Sequence, residues 1–258
     1  MALSAHRELP GALAARLPGL YQPCGTPVSC VVCRGPLRPG YSRCYQCTQH
    51  LLLGEGLLAD VVAPVSYAVR GTAFAFALAW YKSAQNKSAQ NKPAQNKPVQ
   101  HSAAGRPDEA EALLALLLAF LRDHGPCVWR HAGMPAPGLL AVVPSGWGRQ
   151  GTHPLLRLAA PRLRMPLVPL RMRHGEQGRD LNADRFVAGP AEGADVLLLD
   201  DTWVSGASIQ SAAVALKRAG AGRVAAVVLG RYLNPGEPRS AALATQPYEP
   251  GICVFQHQ

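Results

Sequence analysis

The segment at residues 195–208 constrains the fold of this chain more than any other feature of the sequence. It begins with four consecutive apolar residues at 196–199, which are too few for a helix and do not alternate with polar ones. Such a run is typical of a strand buried on both faces, as in a parallel sheet flanked by helices. From residue 209, apolar side chains recur at helical spacing until Gly220, so the predicted order is strand, loop, helix.

The loop between these two elements carries a specific set of polar and small residues. They are the acids Asp200 and Asp201, followed by Thr202, Ser205, Gly206, Ala207 and Ser208. Backbone N–H groups at the start of a helix bind phosphate, and a glycine lets the ligand approach closely. Two carboxylates beside a phosphate are expected if the ligand also presents hydroxyl groups or a Mg²⁺ ion. A sugar phosphate has these features; a purely structural acidic turn is the alternative interpretation.

Two Cys-x-x-Cys units near the N-terminus predict a metal site. Their members are Cys30, Cys33, Cys44 and Cys47. A short loop rich in Gly and Pro separates the units, so four thiolates can surround one Zn²⁺ and close its coordination sphere, as in structural sites. The segment is too small to fold on its apolar area alone, so the metal would contribute folding free energy. A redox dithiol pair or a vestigial finger is the alternative, and Cys24 or His50 could replace one ligand.

Net charge and cysteine usage indicate which ligands and which compartment the protein suits. The 258 residues carry a formal charge of +10 with a pI near 9.6, which suits a pyrophosphate-bearing metabolite, a nucleotide or a nucleic acid. Seven cysteines, four of them in Cys-x-x-Cys units, fit a reducing compartment better than a disulfide framework. The apolar runs are shorter than a membrane span and the N-terminus lacks a continuous apolar segment, so neither a transmembrane helix nor an export signal is predicted.

Composition divides the chain into three parts. We predict an N-terminal extension at residues 1–23, a zinc-binding module at 24–52 and an α/β domain at 60–258. Residues 82–101 repeat the pattern Lys-Ser/Pro-Ala-Gln-Asn every five residues with small variations. The repeat has almost nothing to bury, which predicts a disordered basic insertion at 82–106. It is either an expanded repeat in a tolerant loop or a basic arm for nucleic acid.

Further elements are predicted on both sides of this insertion. Strands are predicted at residues 61–67, 139–143, 167–170 and 224–229, and helices at 72–81, at 107–125 and from about 153. The strand at 139–143 runs into a Gly-rich loop with Arg149, expected at the same sheet edge as the acidic pair. That loop would bind pyrophosphate, or it is a flexible connection with a solvated arginine. The polar run at 171–186 is either a lid or anionic-substrate surface, or an ordinary solvated loop.

Residues 196–208 resemble the phosphoribosyl-pyrophosphate (PRPP) binding motif of type I phosphoribosyltransferases: an apolar run, two acids, three variable residues, then Ser/Thr-Gly-x-Ser/Thr. With the Cys-x-x-Cys pair ahead of it, the chain resembles the ComF family of competence-associated bacterial proteins. Further positions that resemble this family are residues 79–82, Gln177, Arg179, Asn182 and Phe186. At residues 145–153 the chain departs from the family's Arg-Gly-Phe-Asn element, and the repeat is foreign to the family.

The resemblance implies a fold, ligands and a location. The fold would be a type I phosphoribosyltransferase-like parallel sheet flanked by helices, with a small N-terminal zinc-binding module of four cysteines, in a cytoplasmic protein linked in some bacteria to uptake of transforming DNA. Mg²⁺ would accompany PRPP, with Asp200 and Asp201 on the ribose hydroxyls and residues 202–208 on the 5′-phosphate. Purine-salvage phosphoribosyltransferases place an aspartate base where this chain has Val204, which disfavours a purine acceptor.

Two function hypotheses follow from these features. In the first, the protein binds Mg·PRPP and transfers the phosphoribosyl group to an unknown nitrogenous acceptor, as a glycosyltransferase. In the second, it is not catalytic: it senses PRPP or a nucleotide, and its module and basic surface contact DNA or a protein of the DNA-uptake apparatus.

Overall fold

The computed structural model describes residues 15–25, 27–54, 56–83, 106–144, 154–173 and 178–255. Its strands are β1 (Leu20–Tyr21), β2 (Val61–Val69), β3 (Leu139–Val142), β4 (Leu170–Met172), β5 (Phe186–Ala188), β6 (Val196–Trp203) and β7 (Val224–Leu233). Within these residues, one sheet has the order β1-β2-β7-β6-β3, and β4 and β5 form a separate ribbon. All pairs in the larger sheet are parallel except β1 with β2. The predicted mostly parallel sheet is therefore confirmed.

Helices cover both faces of this sheet. They are α1 (Tyr45–Gly54), α2 (Ala73–Ser83), α3 (Arg106–Ala132), α4 (Pro154–Leu163), α5 (Ala207–Arg218) and the short α6 (Pro238–Ala241). Side chains of α2, α3 and α4 share one buried apolar cluster with the strands. Side chains of α5 share a second cluster with the strands and with three cysteines of the predicted module. The sheet is thus the middle layer between two cores, and helices flank it as predicted.

Strand β6 shows how one strand serves both cores. Leu197 and Leu199 belong to the cluster with α3, whereas Val196 and Leu198 belong to the cluster with α5. This alternation follows because successive residues of a strand point to opposite faces. All four side chains are at most 2% exposed. Burial on both faces explains why the sequence of this strand lacks polar alternation.

The long helix α3 departs from its prediction. We predicted an end at residues 124–125, yet the helix continues to Ala132 with Pro126 inside it. A proline within a helix costs about 3 kcal/mol, but Val128 and Ala132 are buried beyond it, and their packing offsets that cost. Glu109–Ala132 is long and apolar enough to cross a membrane by length and composition, yet 56% of its most apolar 18-residue window is buried in the fold, as in a core helix.

The strand predicted at residues 167–170 is also displaced. Leu167 forms an isolated bridge with Leu140, and the strand that follows, β4, pairs antiparallel with β5 outside the main sheet. The polar run at 171–186 therefore begins and ends in paired strands, which the sequence did not indicate. Pairing between these two short segments depends on a loop closure that local sequence patterns do not report.

The predicted three-part division of the chain stays a prediction. Cys30, Cys33 and Cys47 of the module lie in the same apolar cluster as α5, so the module and the sheet share one core. Of the predicted insertion, residues 84–105 lie outside the described part of the chain, between the end of α2 and the start of α3.

Candidate functional site

The acidic pair lies inside a strand rather than after one. Strand β6 runs on to Trp203, so the prediction that it ends before Asp200 was wrong. The extension pairs with β7, where Asp200 lies opposite Val228. Pairing of β6 with β3 ends at Leu199, so in the described part of the chain the β3 side of the strand end has no strand partner. A ligand at the carboxyl edge of the sheet can approach from that side.

The two carboxylates lie in different environments. Asp201 is 1% exposed, whereas Asp200 is half-buried, because neighbouring residues of a strand point to opposite faces. Oδ1 of Asp200 accepts a hydrogen bond from the backbone N–H of Asp201 at 2.8 Å. Of the pair, Asp200 is the carboxylate that a ligand in solvent reaches.

A tight turn follows the strand and ends at Gly206, the N-cap of α5. Gly206 has φ 83°, a left-handed conformation that favours glycine. A β-carbon at this position would lie 2.5 Å from Cε2 of Trp203, so a larger residue is also excluded sterically. Gly206 makes no side-chain cap, and N–H groups in the first turn of a helix, which lack partners within the helix, can bind an anion.

Hydroxyl groups surround this turn; they belong to Thr202, Ser205 and Ser208. Oγ of Ser205 donates to the carbonyl of Arg179 at 2.9 Å and accepts from the N–H of Ala207 at 3.3 Å. Oγ of Ser208 accepts from Nη1 of Arg185 at 3.4 Å, and Ser208 is exposed. The residues that the sequence predicted for phosphate binding, Arg149 excepted, therefore meet at one edge of the sheet.

Arg185 is a residue of this region that the sequence placed only within a polar run. It is 3% exposed, and its Nη2 donates to the carbonyl of Asp180 at 2.7 Å. The same run also contacts α5 at Asn182, whose N–H donates to Oγ of Ser211 at 3.0 Å. A buried guanidinium behind the Ser208 hydroxyl adds a fixed positive charge where a phosphate is expected.

The Gly-rich loop with Arg149 lies outside the described residues, as does Gln177. The start of that loop is described: the N–H of Val143 donates to the carbonyl of Leu199 at 2.9 Å. The loop thus leaves the sheet beside the strand position that precedes Asp200. Whether Arg149 binds pyrophosphate stays a prediction.

The four predicted cysteines form a second candidate site. The Sγ atoms of Cys30, Cys33, Cys44 and Cys47 all lie within 4.8 Å of one another. Sγ of Cys33 and Sγ of Cys44 are 3.7 Å apart. Tetrahedral Zn²⁺ with Zn–S bonds of about 2.3 Å places its sulfur ligands about 3.8 Å apart. The cluster is therefore arranged to hold a metal ion such as Zn²⁺.

The two alternative ligands lie outside this cluster. Sγ of Cys24 donates to the carbonyl of Leu243 at 3.3 Å. The ring of His50 is edge-on to the indole of Trp203, with 6.4 Å between centroids, and burial lowers the pKa of His50. The four cysteines of the two Cys-x-x-Cys units form the cluster without either residue.

The pKa values of the four cluster thiols depend on the hydrogen bonds between them. Hydrogen bonds from Cys33, Cys44 and Cys47 hold the pKa of Cys30 well below its usual range. Hydrogen bonding with Cys30 raises the pKa of Cys33, but hydrogen bonds with Cys44 and Cys47 outweigh it and bring the value to about 7. The pKa values of Cys44 and Cys47 are raised, first by hydrogen bonding with Cys30. A metal ion replaces the protons that these thiols share, since thiolates are the ligands.

Comparison with solved structures finds phosphoribosyltransferases. The chain is similar to adenine phosphoribosyltransferase from Leishmania tarentolae, at 17% identity and TM-score 0.33 over 55% of this chain and 67% of that one. It is similar to orotate phosphoribosyltransferase from Aeropyrum pernix, at 18% identity and TM-score 0.33 over 65% and 89%. A third is purine phosphoribosyltransferase from Pyrococcus horikoshii, at 16% identity and TM-score 0.30 over 50% and 89%.

All three matches are distant in sequence, at 16% to 18% identity. The chain spans about two thirds of the length of the two Leishmania adenine phosphoribosyltransferases that it matches. The strand order and helix placement described above define the fold class independently of these matches. No protein-family model matches the chain, and no curated protein does.

Proposed function

We propose that the protein binds Mg·PRPP at the end of β6 and acts as a phosphoribosyltransferase related to the ComF family. The observation that carries the proposal is the position of Asp200 beside the turn at residues 202–208, on the carboxyl edge of a parallel sheet. In open α/β sheets, ligands bind outside the carboxyl ends of the strands. A carboxylate open to solvent suits ribose hydroxyls, and a glycine-capped helix start suits the 5′-phosphate.

The turn supplies the phosphate contacts. The N–H groups at the start of α5 and the hydroxyls of Thr202 and Ser208 bind the phosphate oxygens, and the guanidinium of Arg185 behind Ser208 compensates their charge. Ser205 already bonds to Arg179 and Ala207. Its hydroxyl therefore maintains the shape of the turn rather than meeting the ligand.

The carboxyl edge supplies the orientation of the sugar. Asp200 accepts hydrogen bonds from the ribose hydroxyls, and Asp201 lies behind it on the buried face. When bound, Mg²⁺ neutralises charge on the pyrophosphate leaving group. The chain itself holds C1 of the ribose in line for the acceptor nitrogen, and this orientation provides most of the rate enhancement. Val204 is 60% exposed and cannot accept a proton, so an acceptor that needs a base at this position is disfavoured.

Calorimetry with Mg·PRPP tests the binding proposal, and pyrophosphate release over a panel of nitrogenous bases tests catalysis. If the wild type binds Mg·PRPP and Asp200→Asn weakens that binding, the proposed site is supported. Binding without release on any base favours a PRPP sensor over an enzyme. No binding by the wild type contradicts both.

A second candidate function, contact with DNA, is favoured by one surface of the module. Tyr41 and Tyr45 are 65% and 71% exposed, and the nearby Arg38 and Arg43 are exposed as well. Exposed aromatic rings between cations bind single-stranded nucleic acid by stacking and charge. A gel shift at several salt concentrations, with Tyr45→Ala and Arg43→Ala, tests this contact. If the affinity for DNA changes neither with salt concentration nor in the two variants, the proposed DNA contact is contradicted.

A further inference from the structure

The guanidinium of Arg231 lies where strand β6 turns into the candidate phosphate loop. Arg231 is 8% exposed and lies opposite Trp203 in the register of β6 and β7. Its Nη1 donates to the carbonyls of Trp203 at 3.3 Å, Val204 at 3.2 Å and Tyr232 at 2.7 Å. Two of these carbonyls belong to the residues that lead into the turn at Gly206. Arg231 therefore holds the backbone at the entrance to the turn.

The other edge of the same guanidinium lies against the cysteine module. A β-carbon on Gly35 would lie 2.9 Å from Cζ of Arg231, so the backbone of the module packs directly on this side chain. Gly35 belongs to the first cysteine knuckle: its carbonyl accepts the N–H of Cys30 at 2.9 Å. One arginine thus contacts the knuckle on one edge and the loop entrance on the other.

Electrostatic attraction connects the metal content of the cluster to the position of Arg231. Four thiolates around one Zn²⁺ form a doubly negative centre, and a buried negative centre needs a compensating cation nearby. The guanidinium groups of Arg231 and of the fully buried Arg34 are both close enough to interact electrostatically with Cys33. A loaded cluster therefore favours the position of Arg231 from which it reaches the loop carbonyls.

A second contact runs from the module to the same turn. His50 lies three residues after Cys47 on α1, which places both side chains on one face of the helix. Its ring packs edge-on against Trp203, and the same indole packs against Gly206. The module thus meets the loop through Arg231 at the backbone and through Trp203 at the ring.

We propose that the metal-loaded cysteine module is the structural support of the candidate phosphate loop, with Arg231 as the positioning residue that connects them. Metal loss from the cluster then loosens residues 203–207 and lowers affinity for the sugar phosphate, although no ligand contact is removed. The effect on affinity rests on the proposed function; the effect on the loop does not.

Gly35→Ala is the sharpest test because it leaves all four cysteines in place. Its β-carbon must displace the guanidinium, and the backbone of Gly35 lies outside the left-handed region, so alanine itself is tolerated there. Gly138→Ala is the matched control, since its β-carbon would meet nothing within 4 Å. We expect full zinc content in both variants. Amide hydrogen exchange at residues 203–207 should be about tenfold faster in Gly35→Ala only, as for loss of one charged hydrogen bond.

Arg231→Lys is the second variant and covers the case in which Gly35→Ala loses its zinc. It keeps the positive charge but loses the planar guanidinium whose Nη1 donates to the carbonyls of Trp203, Val204 and Tyr232. Arg223→Lys is its control, on an exposed arginine bonded to Asp60 at 3.1 Å. Faster exchange at 203–207 in Arg231→Lys, with zinc retained, supports the proposal. Unchanged exchange in zinc-loaded Arg231→Lys overturns it.

Chelation of the wild type then tests the role of the metal itself. We expect faster exchange at residues 203–207 together with residues 27–54, while amides at 196–199 stay protected. Protected loop amides in a metal-free module overturn the proposal, whatever the ligand result. If the wild type binds Mg·PRPP, its affinity should fall about fivefold to tenfold in Arg231→Lys. If the wild type does not bind, the proposed function fails, and hydrogen exchange alone decides the coupling.

Discussion

The α-carbon of Gly206 lies against the indole ring of Trp203, so closely that a β-carbon would be 2.5 Å from Cε2 of that ring. The same glycine has φ 83°. Ring contact and backbone conformation therefore restrain one residue independently, at the point where the candidate phosphate loop becomes helix α5.

We expect Gly206→Ala to lower the free energy of unfolding by about 2 kcal/mol or more, because it adds a steric clash to a left-handed backbone. Gly193→Ala is a matched control: its φ is 67°, but nothing lies within 4 Å of the added carbon, so a loss of about 1 kcal/mol is expected. Urea denaturation measures both variants. Equal losses would show that the contact with Trp203 contributes nothing.

Substitution Asp200→Asn should weaken Mg·PRPP binding about tenfold, because a charged acceptor for ribose hydroxyls becomes neutral. Stability should change little, since the side chain is only half-buried. Calorimetry measures the affinity. Asp184→Asn is the control, because Asp184 is exposed and pairs with Arg218 at 3.0 Å. The affinity of this variant for Mg·PRPP should match that of the wild type. Equal affinity of the two variants for the ligand would contradict the assignment of Asp200.

Replacement of one cluster cysteine should release the metal. In Cys44→Ser we expect zinc affinity to fall at least about a hundredfold, because three thiolates leave the coordination sphere open. Cys24→Ser removes a thiol that bonds to the carbonyl of Leu243 instead and should retain its zinc. Elemental analysis after dialysis against a weak chelator compares them. Zinc retained by Cys44→Ser, or lost from Cys24→Ser, would show that the cluster is assigned wrongly.

Stability should fall at alkaline pH. Burial raises the pKa of Tyr248 from 10.0 to about 12, so between these values the unfolded chain loses a proton that the folded chain keeps. Deprotonation then favours the unfolded state, and stability present below pH 10 is lost as pH rises to 12, by on the order of 2 kcal/mol. Urea midpoints from pH 9 to 12 measure this. The decline should be shallower in Tyr248→Phe; a parallel decline would exclude Tyr248 as its cause.

Local patterns predicted the parts of the site that depend on short stretches of chain. The four cysteines are defined by spacing within a few residues, and they form the predicted cluster. The order of strand, turn and helix at residues 196–218 also followed from local patterns. Local patterns did not predict where β6 ends, because its pairing with β7 continues to Arg231, which lies on a distant segment of the chain. The continuation of helix α3 beyond Pro126 was missed for a similar reason, since burial of Val128 in the core is a tertiary effect.

The side chains behind the loop were the hardest to foresee. Arg185 is one cation among several in a polar run, and its burial and its bond to Ser208 distinguish it in the fold. Arg231 is the single charged residue within the apolar strand β7, and that lone charge is the one hint that the sequence offers. Both positions depend on how three separate segments come together, which no periodicity reports.

Three cysteines of the module lie in the same apolar cluster as Trp203 and Ile209. A fragment cut after the module would therefore expose apolar side chains of this cluster to water, and such an uncovered apolar surface promotes aggregation. Residues 27–54 are therefore part of the packing of the α/β domain, and attempts to study that domain alone should keep them.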